Sequence, residues 1–204
     1  MADIVLFHSV LGPRAGVTDA ADRLRAAGHT VHTPDLYRGE ARFDEYDPAM
    51  AYQDSIGFRE LLRRAETDVA HLPSRLVYMG FSAGGTPATW LAATRPGALA
   101  CILLHDALPL RFMEIDTWPA TVPVQVHFMR DDPFREQEAI DGMATDVRAA
   151  GAPFELFEYD GAGHLFTDPS LPAEYDRAAT ETLWGRVLAL LGGLREEGNA
   201  PSSK

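Results

Sequence analysis

The chain has 204 residues, 46% hydrophobic and 24% charged, which are ordinary globular values and exclude a disordered or collagen-like polymer. Eighteen basic against thirty acidic side chains leave a net charge of −12, which repels phosphate backbones and anionic bilayers; neither nucleic acid nor a membrane is an expected partner. A single cysteine, Cys101, excludes an internal disulfide framework, and with no basic leader and no apolar run near ~18 residues the expected location is cytoplasmic.

Ile4-Val5-Leu6-Phe7 is a continuous apolar run, the pattern of a parallel strand covered on both faces. Val17, Ala20, Ala21, Leu24 and Ala27 then recur at helical spacing, closed by Gly28. A short second strand is expected over 29–33, stopped by Pro34, and the aperiodic stretch 35–47 reads as loop. A long helix is expected over about 48–72, with Gly57 as the place where it can break. Further strands are expected over 75–80, 99–104, 122–128 and 154–159. The helices between them should cover 83–95 and 134–150, with a last one over 175–191. Residues 1–192 are expected to form one domain, and 193–204, rich in Gly, Ser and charge, a flexible tail.

Strands alternating with helices of a dozen residues imply βαβ units: a mainly parallel sheet of about six strands with helices on both faces. Ligands of such sheets sit beyond the carboxyl ends of the strands, so chemistry is sought there. After the third strand comes Gly80-Phe81-Ser82-Ala83-Gly84, a G-x-S-x-G turn. That spacing exposes a serine on a strained strand-to-helix elbow where small neighbours are needed, and it is the nucleophile turn of the α/β-hydrolase fold. A hydroxyl needs a base, and the base an orienting acid, in the chain order Ser, acid, His. Asp131 and Asp132 close the fifth strand, and Asp160-Gly161-Ala162-Gly163-His164 follows the sixth, so both come in the required order. Asp132 is preferred to Asp131 as the acid. Pro133 then begins a helix that Asp132 also caps.

Several stretches together resemble the dienelactone hydrolase family of α/β-hydrolases. They are His8-Ser9-Val10-Leu11-Gly12, Thr33-Pro34-Asp35-Leu36-Tyr37-Arg38-Gly39, Gly80-Phe81-Ser82-Ala83-Gly84-Gly85, Asp132-Pro133 and Gly161-Ala162-Gly163-His164. The resemblance spans about residues 3–192. It implies a cofactor-free hydrolase of small-molecule esters or lactones, with Ser82, Asp132 and His164 as triad and the backbone N–H groups of Val10 and Ala83 as oxyanion hole. Three positions depart from the founding members: Ser82 replaces a cysteine nucleophile, Ser9 a glutamate of the first loop, and Asp168 an arginine that holds a substrate carboxylate. Asp168 in so acidic a chain would repel anions unless Arg14, Arg38, Arg111 or Arg130 lines the site, so neutral substrates are expected to be preferred.

Other residues receive plainer readings. His29 and His32 lack further ligands at metal spacing, so no metal is expected, and the glycine turns match no nucleotide motif. His127 reads as a core histidine and Cys101 as a small hydrophobe. His8 opens the loop bearing Val10 and is a candidate to orient it; His105 and Asp106 are candidate pocket residues. Tyr37, Phe43, Phe112, Met113, Trp118, Phe134 and Phe166 are candidates for an apolar pocket. The competing functions are thioester or peptide-like acyl hydrolysis by the same triad, and a non-catalytic ligand-binding member of the fold.

Overall fold

The computed structural model describes residues 1–198. Its strands are β1 (Asp3–Phe7), β2 (Thr30–His32), β3 (Leu76–Phe81), β4 (Ala100–Leu104), β5 (Val124–Met129) and β6 (Phe154–Tyr159). Its helices are α1 (Ala15–Ala26), α2 (Tyr46–Ile56), α3 (Phe58–Val69), α4 (Gly85–Thr94), α5 (Gln137–Ala149) and α6 (Arg177–Gly198). The strands form one sheet in the order β2-β1-β3-β4-β5-β6, and every neighbouring pair is parallel.

Side chains alternate across the sheet, so the apolar runs divide between two cores. Val5, Phe7, Tyr78, Cys101, Leu103 and Val126 pack with residues of α3, α4 and α5. Ile4, Leu6, Val77, Met79, Ile102 and Leu104 pack with α1 and α6 on the other face. Burial on both faces explains why the strands read as continuous rather than alternating, each large aliphatic side chain contributing about 1.5–3 kcal/mol. The register keeps the strand ends level: Phe7 lies opposite Gly80, Phe81 opposite Leu104, Leu104 opposite His127 and Met129 opposite Tyr159. Residues after these ends therefore converge on one edge. Among the described residues no helix is long and apolar enough to cross a membrane.

Four segments differ from the sequence expectation. The helix expected over 48–72 is two helices, because Gly57 adopts φ 87° and its carbonyl restarts the chain by accepting the Leu61 N–H at 3.1 Å. α2 also begins at Tyr46, inside the stretch read as loop. The helix expected from residue 134 starts only at Gln137, so Asp132 does not cap it; its Oδ1 accepts the Phe134 N–H at 2.8 Å in a turn. At the other end α6 continues through Gly192 and Gly193 to Gly198, since an interior glycine costs a helix only about 1 kcal/mol. Residues 199–204, the remainder of the expected tail, lie outside the described residues.

Candidate active site

Ser82 follows β3 directly and adopts φ 47°, the left-handed region that a residue with a Cβ reaches only under strain. The turn closes so tightly that a Cβ on Gly80 would overlap the Gly84 carbonyl, and one on Gly84 would overlap the His8 carbonyl. The two glycines are thus required for different contacts. Gly80 permits the elbow itself, and Gly84 lets the loop after β1, which carries Val10, lie against the turn that carries Ala83. That loop is held from within. Tyr37 Oη donates to the Val10 carbonyl at 2.7 Å, the Leu11 N–H donates to Ser9 Oγ at 3.2 Å, and His8 bridges the Ser9 carbonyl (2.7 Å) and the Leu36 N–H (3.1 Å). Because Nε2 of His8 accepts, its proton sits on Nδ1.

His164 brings the strand ends together. Its Nε2 lies 2.7 Å from Ser82 Oγ and its Nδ1 2.8 Å from Asp132 Oδ2. With the carboxylate accepting from Nδ1–H, Nε2 is left to accept the serine proton. Asp132 and His164 are buried, 5% and 4% exposed, while Ser82 is only half-buried, so of the three residues the serine is the one open to solvent. Asp131 is exposed and its N–H is tied to the Gly161 carbonyl at 3.0 Å. Of the adjacent aspartates, the structure brings Asp132 and not Asp131 to the imidazole.

Two residues that the sequence reading did not single out hold the His164 loop. Glu174 Oε2 accepts the N–H of Leu165, the next residue after the histidine, at 2.6 Å. Both Glu174 oxygens lie 2.9 Å from Tyr46 Oη, and a Cβ on Gly163 would overlap the Glu174 carbonyl. Burial, reinforced by the neighbouring Glu174 carboxylate, pushes the Tyr46 phenol upward, so it remains a donor. The Tyr46 ring lies 5.8 Å from His164 and 5.0 Å from Phe134, and Phe134 itself 4.6 Å from His164. Tyr46 and Glu174 are 128 positions apart, so no local pattern pairs them.

The end of β4 is different in kind. His105 adopts φ 68°, is buried among Phe81, His164 and Phe166, and is pushed well below its ordinary value by burial, so it stays neutral. Asp106 presses Oδ2 against Gly85 at the start of α4, where that oxygen is sealed without a hydrogen-bond partner among the described residues. Burial pushes its carboxyl up to about 7. His127 is a hydrogen-bonded core residue, spanning Tyr159 Oη (2.8 Å) and Gln125 Oε1 (2.9 Å), with burial lowering it to about 3. Burial raises the Cys101 thiol and keeps it from the thiolate form.

Asp168 does not face the site. Its Oδ1 accepts the Ser170 N–H (2.8 Å) and Oγ–H (2.7 Å), its Oδ2 lies 3.5 Å from Arg14 Nε, and it packs on Gly16 of α1. The expected repulsion from Asp168 therefore has no structural basis. The four arginines considered as clamps are also engaged: Arg14 with Asp168 and Asp44, Arg38 with Asp68, Arg130 with Asp160, and Arg111 over the Phe112 ring. The aromatic candidates divide likewise. Phe134 touches His164, Phe166 lies under His105, and Tyr37 and Phe43 pack in the loop beside α2. Met113 and Trp118 are core, and Phe112 is exposed.

The model of the dienelactone hydrolase family matches residues 2–194. A carboxymethylenebutenolidase of Rhodococcus opacus is 27% identical over 201 residues, 91% of this chain and 78% of that protein. Among solved structures, a dienelactone hydrolase-like promiscuous phosphotriesterase from metagenomic libraries superimposes with a TM-score of 0.80 at 23% identity, covering 95% of this chain and 87% of that one, a likeness of fold.

Proposed function

The chain belongs to the dienelactone hydrolase family, a family of hydrolases, and from that premise we propose that it is a serine hydrolase cleaving small ester or lactone substrates through Ser82, His164 and Asp132. The observation that carries the reading is the unbroken hydrogen-bond chain from Ser82 Oγ through both nitrogens of His164 to Asp132 Oδ2, mounted on a strained serine. The lactone half of the proposal draws on the name of the Rhodococcus opacus relative.

In this reading Oγ attacks the substrate carbonyl carbon while Nε2 of His164 takes its proton. The bond from that carbon to the leaving oxygen then breaks, and His164 passes the proton to the departing alkoxide. Water, deprotonated by the same imidazole, attacks the acyl-enzyme; the acid leaves and Oγ recovers its proton. Asp132 holds the tautomer and stabilises the imidazolium formed in each half. Backbone N–H groups of Val10 and Ala83 are assigned to the oxyanion, since the loop after β1 and the serine turn lie against each other at Gly84.

Active-site labelling tests the assignment. A fluorophosphonate should modify Ser82 stoichiometrically, and Ser82→Ala should lower kcat/KM on an aryl ester by about ten-thousandfold with an unchanged melting temperature. Near-normal turnover by Ser82→Ala would overturn the nucleophile assignment.

A further inference from the structure

Beside Ala83 lies a small cavity of about 40 Å³, walled by Ser9, Leu36, Tyr37, Leu61, Leu62 and Ala83. Five segments distant in sequence build it: the loop after β1, the loop after β2 with Leu36 and Tyr37, Gln53 of α2, the start of α3, and the serine turn with the first residues of α4. Resting on the serine-hydrolase reading, we propose that this cavity receives the acyl half of the substrate and selects short, uncharged, apolar acyl groups, while the leaving group lies against Phe134 and Tyr46.

Direction is the first argument. The leaving oxygen must take its proton from His164, and the rings against His164 are those of Phe134, Tyr46 and the buried His105. None of these rings walls the cavity, and neither does His164. The cavity is lined instead by Ala83, the residue after the serine, and by Ser9 of the loop after β1. At a carbonyl carbon bonded to Oγ, with its oxygen on the N–H groups and its leaving group at the imidazole, the remaining substituent is the acyl chain.

Chemistry of the wall is the second. No Asp, Glu, Lys or Arg lines the cavity among the described residues. Its buried polar groups are already engaged: both His8 nitrogens, Ser9 Oγ with the Leu11 N–H, and Tyr37 Oη with the Val10 carbonyl. What the wall presents to a ligand is chiefly hydrocarbon from Leu36, Leu61, Leu62 and the Tyr37 ring, with Gln53 and Thr86 as uncharged polar groups. A carboxylate entering there would lose its hydration and meet no counter-charge, which is costly. Preference for neutral substrates thus stands on the wall itself and not on Asp168.

Two series of aryl and alkyl esters test this, one varying the acyl chain on p-nitrophenol and one varying the alcohol on a fixed butyryl group. The wild-type enzyme should favour acyl chains of about four to six carbons, lose at least about tenfold by twelve carbons, and prefer butyrate over the hemisuccinate carboxylate by at least about tenfold. Leu61→Ala should move the acyl optimum to longer chains, and Thr86→Leu to shorter ones, each leaving the ranking of alcohols unchanged. Phe134→Ala should do the reverse, altering the alcohol ranking and not the acyl one. If Leu61→Ala and Thr86→Leu both move the alcohol series, or neither moves the acyl series, or the hemisuccinate is preferred, the acyl assignment is wrong. Fluorophosphonate labelling of Ser82 in each variant reports that the fold and nucleophile are intact. Absence of label in the wild type would instead overturn the serine reading on which the assignment rests.

Discussion

The ends of β5 and β4 each carry an aspartate whose carboxyl is withdrawn from water, close to a histidine, and the two are built to opposite effect. At β5 both oxygens of Asp132 have donors, the Phe134 N–H on Oδ1 and His164 on Oδ2. At β4 the Oδ2 of Asp106 is sealed against Gly85 with none among the described residues, and burial carries that carboxyl to about 7. The histidines divide in the same way. His164 uses both ring nitrogens on Ser82 and Asp132, whereas His105 has one long contact, 3.4 Å to Thr167, and is kept neutral by burial. Burial by itself discharges an ionisable group; only burial with partners aims it.

The largest expected effect separates these ends by activity. Asp132→Asn should lower kcat/KM on p-nitrophenyl butyrate by about a thousandfold to ten-thousandfold, because the amide turns the imidazole to the wrong tautomer. Asp131→Asn and Asp106→Asn should stay within about threefold of wild type. Comparable losses at Asp106 and Asp132 would break the comparison and make the β4 end part of the chemistry.

A smaller effect sharpens what holds the β5 side. Glu174→Ala should cut kcat about ten- to a hundredfold with little change in KM, the worth of a charge-assisted hydrogen bond to the loop bearing His164. Glu174→Gln should recover most of it, since an amide oxygen still accepts the Leu165 N–H. Steady-state kinetics of the two variants side by side decide this. Equal defects would mean that the negative charge, and not the hydrogen bond, matters.

The smallest effect concerns stability, and it belongs to β4. Burial pushes the Asp106 carboxyl up to about 7 in the folded protein, against about 3.9 in an unfolded chain. The folded state therefore holds a proton that the unfolded state has released, and this contribution is full below about pH 4, is lost as pH rises to about 7, and stays lost above. Asp106→Asn cannot release a proton. Relative to wild type its melting temperature should rise between pH 4 and 8, ending a few degrees higher at pH 8. Parallel melting curves across that range would show that Asp106 is ionised at no cost.

Much of this arrangement is local and was legible in the chain. Strand positions follow from apolar runs buried on both faces, and a G-x-S-x-G turn needs only its own glycines to make an elbow. The order of Ser82, an aspartate after β5 and His164 after β6 is likewise set by where each strand stops. What depends on which distant surfaces meet was not legible. The helix across Gly57 broke because glycine tolerates φ 87°, which periodicity does not register. The sequence favours Asp132 over its neighbour, but it is the turn after β5 that exposes Asp131 and buries Asp132. Asp168 sits four residues past His164, yet a backbone that folds toward α1 gives it to Arg14 and Ser170. Tyr46 meets Glu174, and Leu36 meets Leu61 across the cavity, because helices packed on a sheet choose partners by shape and burial over the whole molecule. The chain by itself determined the sheet and the order of its chemical groups along one edge; the tertiary structure decided which carboxylate reaches the imidazole, which charges are withdrawn from the site, and what lines it, because those outcomes are settled by contacts between residues that no short-range pattern connects.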